Sequence, residues 1–308
     1  MTKAIKKARI KIEKKYFTHF INKYEYYKNV SLKKYNTYKI DVSCDYLVYP
    51  KSIHELQELL KYLKDNNIHY LILGNGSNVI LARPNFDVVI KLDRINNIEI
   101  KDNIVIAGAG VSLIKLSNIC MENNLNGLSF AGGIPGLLGA STAMNAGAYK
   151  EDMASIVKEV KVLTPNLEIK TMKNSELEYA YRDSFLKRNK DFICVEVTLS
   201  LEYEDKEIIK HRMLDRRDRR ISSQPVNMPS AGSVFRNPEG LSAGKLIEDI
   251  GLKGYTIGGA QVSEKHANFI INTSNATYED IISLIDYIKE KVKEKYNIDL
   301  ILEQEIVR

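Results

Sequence analysis

The period of the apolar positions changes several times along this chain, and each change marks an element. Tyr46, Leu47, Val48 and Tyr49 form a short apolar run that Pro50 closes, the pattern of a buried strand. Ser52-Ile53-His54-Glu55 then sets a hydroxyl three residues ahead of a carboxylate, the pairing that caps a helix start, and Leu56, Leu59, Leu60 and Leu63 follow at helical spacing. A second strand run, His69-Tyr70-Leu71-Ile72-Leu73, leads straight into Gly74-Asn75-Gly76-Ser77-Asn78. Val79, Ile80 and Leu81, then Val88, Val89 and Ile90, predict two more strands. The theme of strand into glycine turn recurs at Ile104-Val105-Ile106-Ala107-Gly108-Ala109-Gly110, after which Ser112 opens a helix carrying Leu113, Leu116 and Ile119. Further on, Ser242 to Gly251 reads as a short helix with a glycine stop. Thr277 caps a last helix reaching Tyr296, with Ile281, Ile282, Leu284, Ile285, Ile288 and Val292 toward the core, and it delivers the chain to a terminal strand.

Two segments depart from this alternation. Within residues 1–35, Ile10, Phe17, Phe20, Ile21 and Tyr24 fall near one helical face with lysines elsewhere, which predicts a short amphipathic helix. No arginine-aromatic pattern accompanies the lysines, so a helix packed on the body is favoured over a membrane or nucleic-acid arm. Arg212 to Arg220 reads RMLDRRDRR, where Asp215 and Asp218 interrupt the arginines. Intrahelical pairs on a solvated face follow, with one arginine left over that could meet a diphosphate.

Composition narrows the picture without changing it. At 308 residues, 44% hydrophobic and 27% charged, the chain lies in the globular range and can hold two or three domains. Its net charge of +6 owes much to the lysine-rich start. Cys44, Cys120 and Cys194 stand far apart and are odd in number, which argues against a disulfide framework and for a reducing compartment. No apolar run approaches the roughly 18 residues of a membrane span, and the start lacks a secretory apolar region, so a cytoplasmic protein is expected. His19, His54, His69, His211 and His266 are too scattered for a metal site, and no metal is predicted.

The glycines carry the first chemistry. Glycine permits positive φ, so successive amides in Gly74-Asn75-Gly76-Ser77-Asn78 can point at a phosphate, although a tight turn alone would explain them equally well. From Gly127 to Tyr149 six glycines occur within 23 residues. Each costs a helix interior about 1 kcal/mol against alanine, so a ligand or another backbone must come close to this stretch. A pyrophosphate would require that approach, and close packing of a short helix on a sheet is the alternative.

Six motifs then fall in order. They are Asn36-Thr37, Gly74-Asn75-Gly76-Ser77-Asn78, Ala131-Gly132-Gly133-Ile134-Pro135-Gly136, Met144-Asn145-Ala146-Gly147-Ala148-Tyr149, Tyr179-Ala180-Tyr181-Arg182-Asp183-Ser184, and Pro229-Ser230-Ala231-Gly232-Ser233-Val234-Phe235-Arg236-Asn237-Pro238. From about residue 36 to its end the chain resembles the UDP-N-acetylenolpyruvoylglucosamine reductases, flavoenzymes of peptidoglycan precursor synthesis, in their compact type II form. It departs from their pattern at Asp41-Val42-Ser43-Cys44-Asp45 and around Arg83-Pro84-Asn85, where the family has a glycine-rich turn and an aspartate with a glycine.

The resemblance implies an α+β chain: a two-part FAD-binding α/β region of the vanillyl-alcohol-oxidase-like (PCMH) type, residues 36–101 and 102–202, and a C-terminal α+β substrate domain, 203–308. It implies noncovalent FAD held by Gly74, Asn75, Gly76, Ser77, Asn78, Gly132, Gly133, Ile134, Pro135, Gly136, Gly139, Ala140, Asn145 and Gly147. NADPH would be the co-substrate and a UDP-sugar the substrate, with no nucleic-acid partner, no membrane span and a monomeric chain. Arg182 would hold and polarise the enolpyruvyl group, and Ser233 would give the proton to C2. A glutamate completes the set. The family's closing motif is glutamate, often proline, glutamate, valine, arginine; Gln304 takes the proline position, and that register ranks Glu305 above Glu303. Strand alternation does not separate the two, since both fall on one face. Asn237, Lys245, Gln261 and Asn268 are the implied sugar-nucleotide contacts. A flavin oxidase of the same architecture and a flavin-free nucleotide-binding protein are the competing readings.

Overall fold

The computed structural model describes residues 16–308, so Ile10 of the predicted N-terminal face lies outside the described residues. Residues 16–21 are helical, and Phe17, Ile21 and Tyr24 are buried with Tyr46, Leu56 and Leu59. Phe20 stacks on Tyr62 at 3.9 Å between ring centroids. The helix is therefore packed on the body, as its apolar face predicts, but the segment does not stay helical. Glu25–Ser31 is a strand, antiparallel to Ser43–Tyr49. Its tyrosines and Val30 are strand formers, and pairing with an existing sheet edge outweighs the weak helical period there.

The first sheet runs Glu25–Ser31, Ser43–Tyr49, Asn85–Ile90, Tyr70–Ile72, with the last two pairings parallel. The helix Ile53–Asp65 crosses between Ser43–Tyr49 and Tyr70–Ile72 and buries Leu56, Leu59, Leu60 and Leu63. Ser52 Oγ accepts from the Glu55 amide at 3.1 Å, as its spacing predicts, while the Glu55 carboxylate reaches the amide of Lys51 instead of Ser52. The strand expected over His69 to Leu73 shrinks to Tyr70–Ile72 and is only half buried, because this stretch borders a large cavity. The second sheet is antiparallel throughout, in the order Ile169–Lys173, Val157–Leu163, Ile193–Ser200, Ile104–Gly108, Ile98–Lys101. Leu113–Glu122 and Leu138–Met144 pack against it, and their apolar residues close a core of their own with Val105, Val160 and Val197.

The remaining residues do not form an independent core. Ile281, Leu284, Ile285 and Ile288 of the helix Tyr278–Tyr296 share one cluster with Leu47, Phe86 and Val89 of the first sheet. The chain then ends in Glu305–Val307, which pairs in parallel with Val79–Leu81. The helix Lys206–Ser223 buries only Ile209, as a solvated helix should. Its arginines are less self-contained than expected: Arg219 pairs with Asp215 inside the helix, but Arg212 and Arg216 grip Glu204 and Glu151 outside it. Among the described residues no helix is long and apolar enough to cross a membrane, and no cluster of three or more His, Cys, Asp or Glu is placed to hold a metal.

One glycine in the first loop is under a constraint that can be measured. Gly76 has φ of +61°, and a Cβ there would lie 2.4 Å from the Tyr35 carbonyl oxygen and 2.6 Å from Asn36 Cα. Gly240 has a similar φ of +68° with nothing within 4 Å. Gly240→Ala is expected to cost about 1–2 kcal/mol of unfolding free energy from the left-handed backbone alone. Gly76→Ala should cost clearly more in the same denaturant titration, and equal costs would show that the loop does not rest on Tyr35 and Asn36.

Candidate active site

A cavity of about 1590 Å³ lies where the glycine loops, the hairpin before Ser184 and the end of the chain converge. Gly74 to Asn78 form one wall. Thr37 fixes this loop, since its amide and hydroxyl both donate to the Gly76 carbonyl at 3.1 Å, while the buried Asn36 ties Leu32 to Ile40. The amides of Asn75, Gly76, Ser77 and Asn78 find no acceptor among the described residues. Four adjacent donors without partners at a cavity wall are the cradle a pyrophosphate needs, so the loop fits a dinucleotide. Gly133, Ile134, Pro135, Gly136, Gly139, Ala140 and Gly147 line the same cavity. Gly139 also carries a packing constraint, because a Cβ there would stand 2.6 Å from that of Ala109. The glycine-rich stretch thus lines the cavity and, at Gly139, also answers to close packing.

Two of the expected cofactor residues are not in the wall. A Cβ on Gly132 would meet Met213 Cε at 2.8 Å, so this glycine admits the helix Lys206–Ser223. Asn145, at φ +49°, ends the helix Leu138–Met144 and uses its amide on Asp152 and the Ala180 carbonyl. It stands behind Arg182 rather than facing the cavity.

Arg182 sits in a two-residue hairpin closed by reciprocal backbone bonds between Ala180 and Asp183, at φ +55°. Its carbonyl oxygen accepts from Lys187 Nζ at 2.8 Å and from Arg236 Nη2 at 3.1 Å. These two bonds hold a non-glycine residue in the left-handed region, where it otherwise costs roughly 1–2 kcal/mol. The side chain turns back over the helix end. Nη1 and Nη2 donate to the carbonyls of Asn145 and Gly147, and Nε lies 3.2 Å from Glu303 Oε1. The guanidinium is 19% exposed and the Glu303 carboxyl 14% exposed. Burial raises the Glu303 pKa, and Arg182, Lys187 and Arg236 oppose that rise without cancelling it.

The carboxyl beside Arg182 is that of Glu303, whereas Glu305, the residue that motif register ranks first, meets Lys190 at the same cavity. Glu305 begins the terminal strand and pairs with the exposed Lys190. Glu303 lies just before the strand, where its amide donates to the Val234 carbonyl at 2.8 Å in the bridge that pairs Leu302 with Phe235. Both glutamates border the cavity, but only Glu303 reaches the guanidinium.

Ser233 lies in the cavity wall beside Gly232, which has φ +76°. Val234 donates to the Asn268 carbonyl, and the Asn268 side chain brackets Phe235 through both its amide and its carbonyl. Asn268 is thus a backbone brace and does not face the cavity. The other implied sugar-nucleotide contacts also lie outside the cavity lining and have partners within the chain. Asn237 caps the helix Ala243–Asp249 through the Ala243 amide, Lys245 pairs with Asp249 on the surface, and Gln261 bonds the Gly254 carbonyl and Thr256. Polar residues that satisfy turns look the same in sequence as polar residues that meet ligands, and here the turns claim them.

Two cavity residues escape sequence reasoning. Lys187 follows the YRDS motif by three positions and is half buried, with burial and then Arg236 lowering its pKa. Arg220 ends the arginine run, and burial lowers its pKa as well. Among the described residues the Arg220 guanidinium makes no ion pair or hydrogen bond, while those of Arg212, Arg216 and Arg219 do. The single signal was that leftover arginine. Cys194 also borders the cavity, but burial pushes its thiol up to about 12, which leaves it a poor nucleophile.

Comparison with known proteins agrees with this arrangement. Residues 44–173 match the model of the FAD binding domain, and 224–307 match that of the UDP-N-acetylenolpyruvoylglucosamine reductase C-terminal domain. The UDP-N-acetylenolpyruvoylglucosamine reductase of Caldanaerobacter subterraneus subsp. tengcongensis is 44% identical over 282 residues, covering 91% of this chain and 93% of the relative. The chain belongs to the UDP-N-acetylenolpyruvoylglucosamine reductase family. The reductase of Listeria welshimeri is also 44% identical, over 280 residues, covering 91% and 94%. The crystal structure of the reductase from Thermus caldophilus superimposes with a TM-score of 0.78 at 31% identity, covering 92% of this chain and 99% of that one. The family's FAD-binding and C-terminal regions thus account for both glycine walls and for the serine turn.

The Arg182–Glu303 pair predicts a titration. Arg182 is the first of the cations that favour the charged form of Glu303. In Arg182→Met that carboxyl should stay protonated to higher pH than in the parent, as followed by carbon NMR of labelled glutamate. An unchanged titration would mean that the pair does not form in solution.

Proposed function

We propose that this chain reduces the enolpyruvyl group of UDP-N-acetylglucosamine enolpyruvate to give UDP-N-acetylmuramate, with NADPH as reductant, and that Arg182, Glu303 and Ser233 carry the substrate step. The observation that carries this reading is the meeting of a half-buried arginine–carboxyl pair and a serine turn at one cavity, beside a loop of unpartnered amides. Residues 36–101 and 102–202 hold the dinucleotide, and 203–308 presents the serine turn and the terminal carboxyl. FAD held by these glycine loops would supply the hydride, taken from NADPH, that C3 of the enolpyruvyl double bond needs.

The protein's own groups then manage charge and proton. Addition at C3 leaves an electron pair at C2 that spreads onto the substrate carboxylate. The planar fork of Arg182 suits that carboxylate, and it is already desolvated, so its field acts at low dielectric without reorganisation. Glu303, whose carboxyl burial shifts toward the protonated form, donates a second hydrogen bond to the same oxygens when it carries its proton. The Ser233 hydroxyl gives its proton to C2, which completes saturation of the double bond. A hydroxyl is a weak acid, but the C2 centre is a very strong base. Arg220, a half-buried cation at the cavity wall without an anion, meets the diphosphate of the sugar nucleotide, because a partly desolvated charge gains from a counter-charge. The site is complete within one chain, which suits a monomer. Three free, buried cysteines and these nucleotide substrates suit the cytoplasm.

Stopped-flow half-reactions test the roles. Ser233→Ala should leave NADPH-driven flavin bleaching nearly intact and slow reoxidation by the enolpyruvyl sugar nucleotide by about a thousandfold or more. Equal loss of both steps would refute the proton-donor role, and fast reoxidation by air without the sugar nucleotide would point to a flavin oxidase. Because Glu303 must be protonated, the substrate-driven step should fall as pH rises through a pKa above the ordinary carboxylate range. Glu303→Gln should lower the rate and remove that limb, whereas Glu305→Gln should keep it.

A further inference from the structure

Between the two terminal glutamates stands Gln304, 3% exposed, with every hydrogen-bonding group of its amide engaged. Its Nε2 donates to the carbonyls of Ala231 and Gly232, both at 3.1 Å. Its Oε1 accepts from the Tyr38 hydroxyl at 2.9 Å. The orientation follows from chemistry, since two main-chain carbonyls can only accept and so must face the NH2 end. Tyr38 is itself fully buried, and its carbonyl accepts from Asn272 Nδ2 at 2.8 Å. Burial raises the Tyr38 pKa, which keeps the phenol a neutral donor.

These bonds land on the two residues that precede Ser233. Gly232 is left-handed at φ +76°, so the direction in which the chain enters Ser233 depends on how the Ala231 and Gly232 peptides are held. Ser233 itself shows no side-chain hydrogen bond within the described residues that would orient its hydroxyl. Asn268 holds the turn from its far side, at Val234 and Phe235. Gln304 holds it from the near side, and its own backbone is pinned on both flanks, by Glu303 to Val234 and by Glu305 to Asn78.

We propose that Gln304, oriented by Tyr38, is a positioning residue that sets the Ser233 hydroxyl for proton transfer to C2 and ties its place to that of the Glu303 carboxyl. This rests on the reading of Ser233 as proton donor. One residue links the serine turn, the carboxyl and the glycine loop, so a small shift at Gln304 moves the donor relative to the reacting carbon. Misplacement by about 1 Å can cost roughly a hundredfold in rate.

The test uses Gln304→Leu and Tyr38→Phe in the FAD-loaded full chain. Gln304→Leu should slow reoxidation by the sugar nucleotide by about a hundredfold with NADPH-driven bleaching within about twofold of the parent. Its solvent deuterium isotope effect on reoxidation should rise, because proton transfer becomes limiting. Tyr38→Phe, which removes only the orienting bond, should do the same more weakly, and it serves alone if the leucine variant fails to fold. In a Ser233→Ala background, Gln304→Leu should add little, since the group it positions is gone. Equal slowing of both half-reactions, an unchanged isotope effect or full additivity with Ser233→Ala would overturn the proposal. If Ser233→Ala alone leaves reoxidation fast, the donor reading fails first. If Ser233→Ala is slow and Gln304→Leu is not, only the positioning role fails.

Discussion

The last eight residues tie separate parts of the molecule together, and the site is assembled on their backbone. The Ile301 carbonyl accepts from Arg236, the Glu303 amide donates to Val234, the Glu305 amide donates to Asn78, and the Val307 carbonyl accepts from Ala82. Parallel pairing of Glu305–Val307 with Val79–Leu81 completes the path. One short segment thereby sets the distance between the glycine loop from the first sheet and the serine turn from the C-terminal part. Neither wall can move without breaking ladder hydrogen bonds that have no solvent replacement in a buried setting. The shared apolar cluster of the first sheet and the helix Tyr278–Tyr296 makes the same connection through packing.

Charge is concentrated where that segment passes the hairpin. Arg182, Lys187 and Arg236 surround Glu303, and Asp183 and Glu305 lie at the margin. Burying such a cluster is expensive, and a buried pair is weak evidence for stability. Its arrangement makes better sense as preorganisation: donors fixed before the substrate arrives do not have to be turned at the moment charge develops. The left-handed Arg182 fits the same picture, since backbone strain at this one residue is held by two cationic donors on its carbonyl.

Much of this was legible in the chain. Helix starts at Ser52, Ser112 and Thr277 follow from cap chemistry that is local, and the structure places each where the spacing puts it. The glycine walls were legible because glycine meets a backbone geometry that few residue types can, while Arg182 and Ser233 stood out only through the resemblance of the motifs around them. What was not legible depends on tertiary pairing. Glu303 and Glu305 are equivalent by alternation and both border the cavity, and only the placement of Arg182 and Lys190 gives them different partners. Asn237, Gln261 and Asn268 look like ligand contacts until the turns they brace are known. Residues 25–31 carry a weak helical period that sheet pairing overrides.

The central claim is that the buried carboxyl at Arg182 and the Ser233 hydroxyl face one reacting centre. A crystal structure of the FAD-loaded enzyme with the enolpyruvyl sugar nucleotide reads this most directly. The substrate carboxylate should lie on Arg182 and Glu303, with C2 within hydrogen-bonding reach of Ser233 and with Glu305 still on Lys190. A substrate carboxylate held by Glu305 and Lys190, with Ser233 turned away from C2, would contradict it.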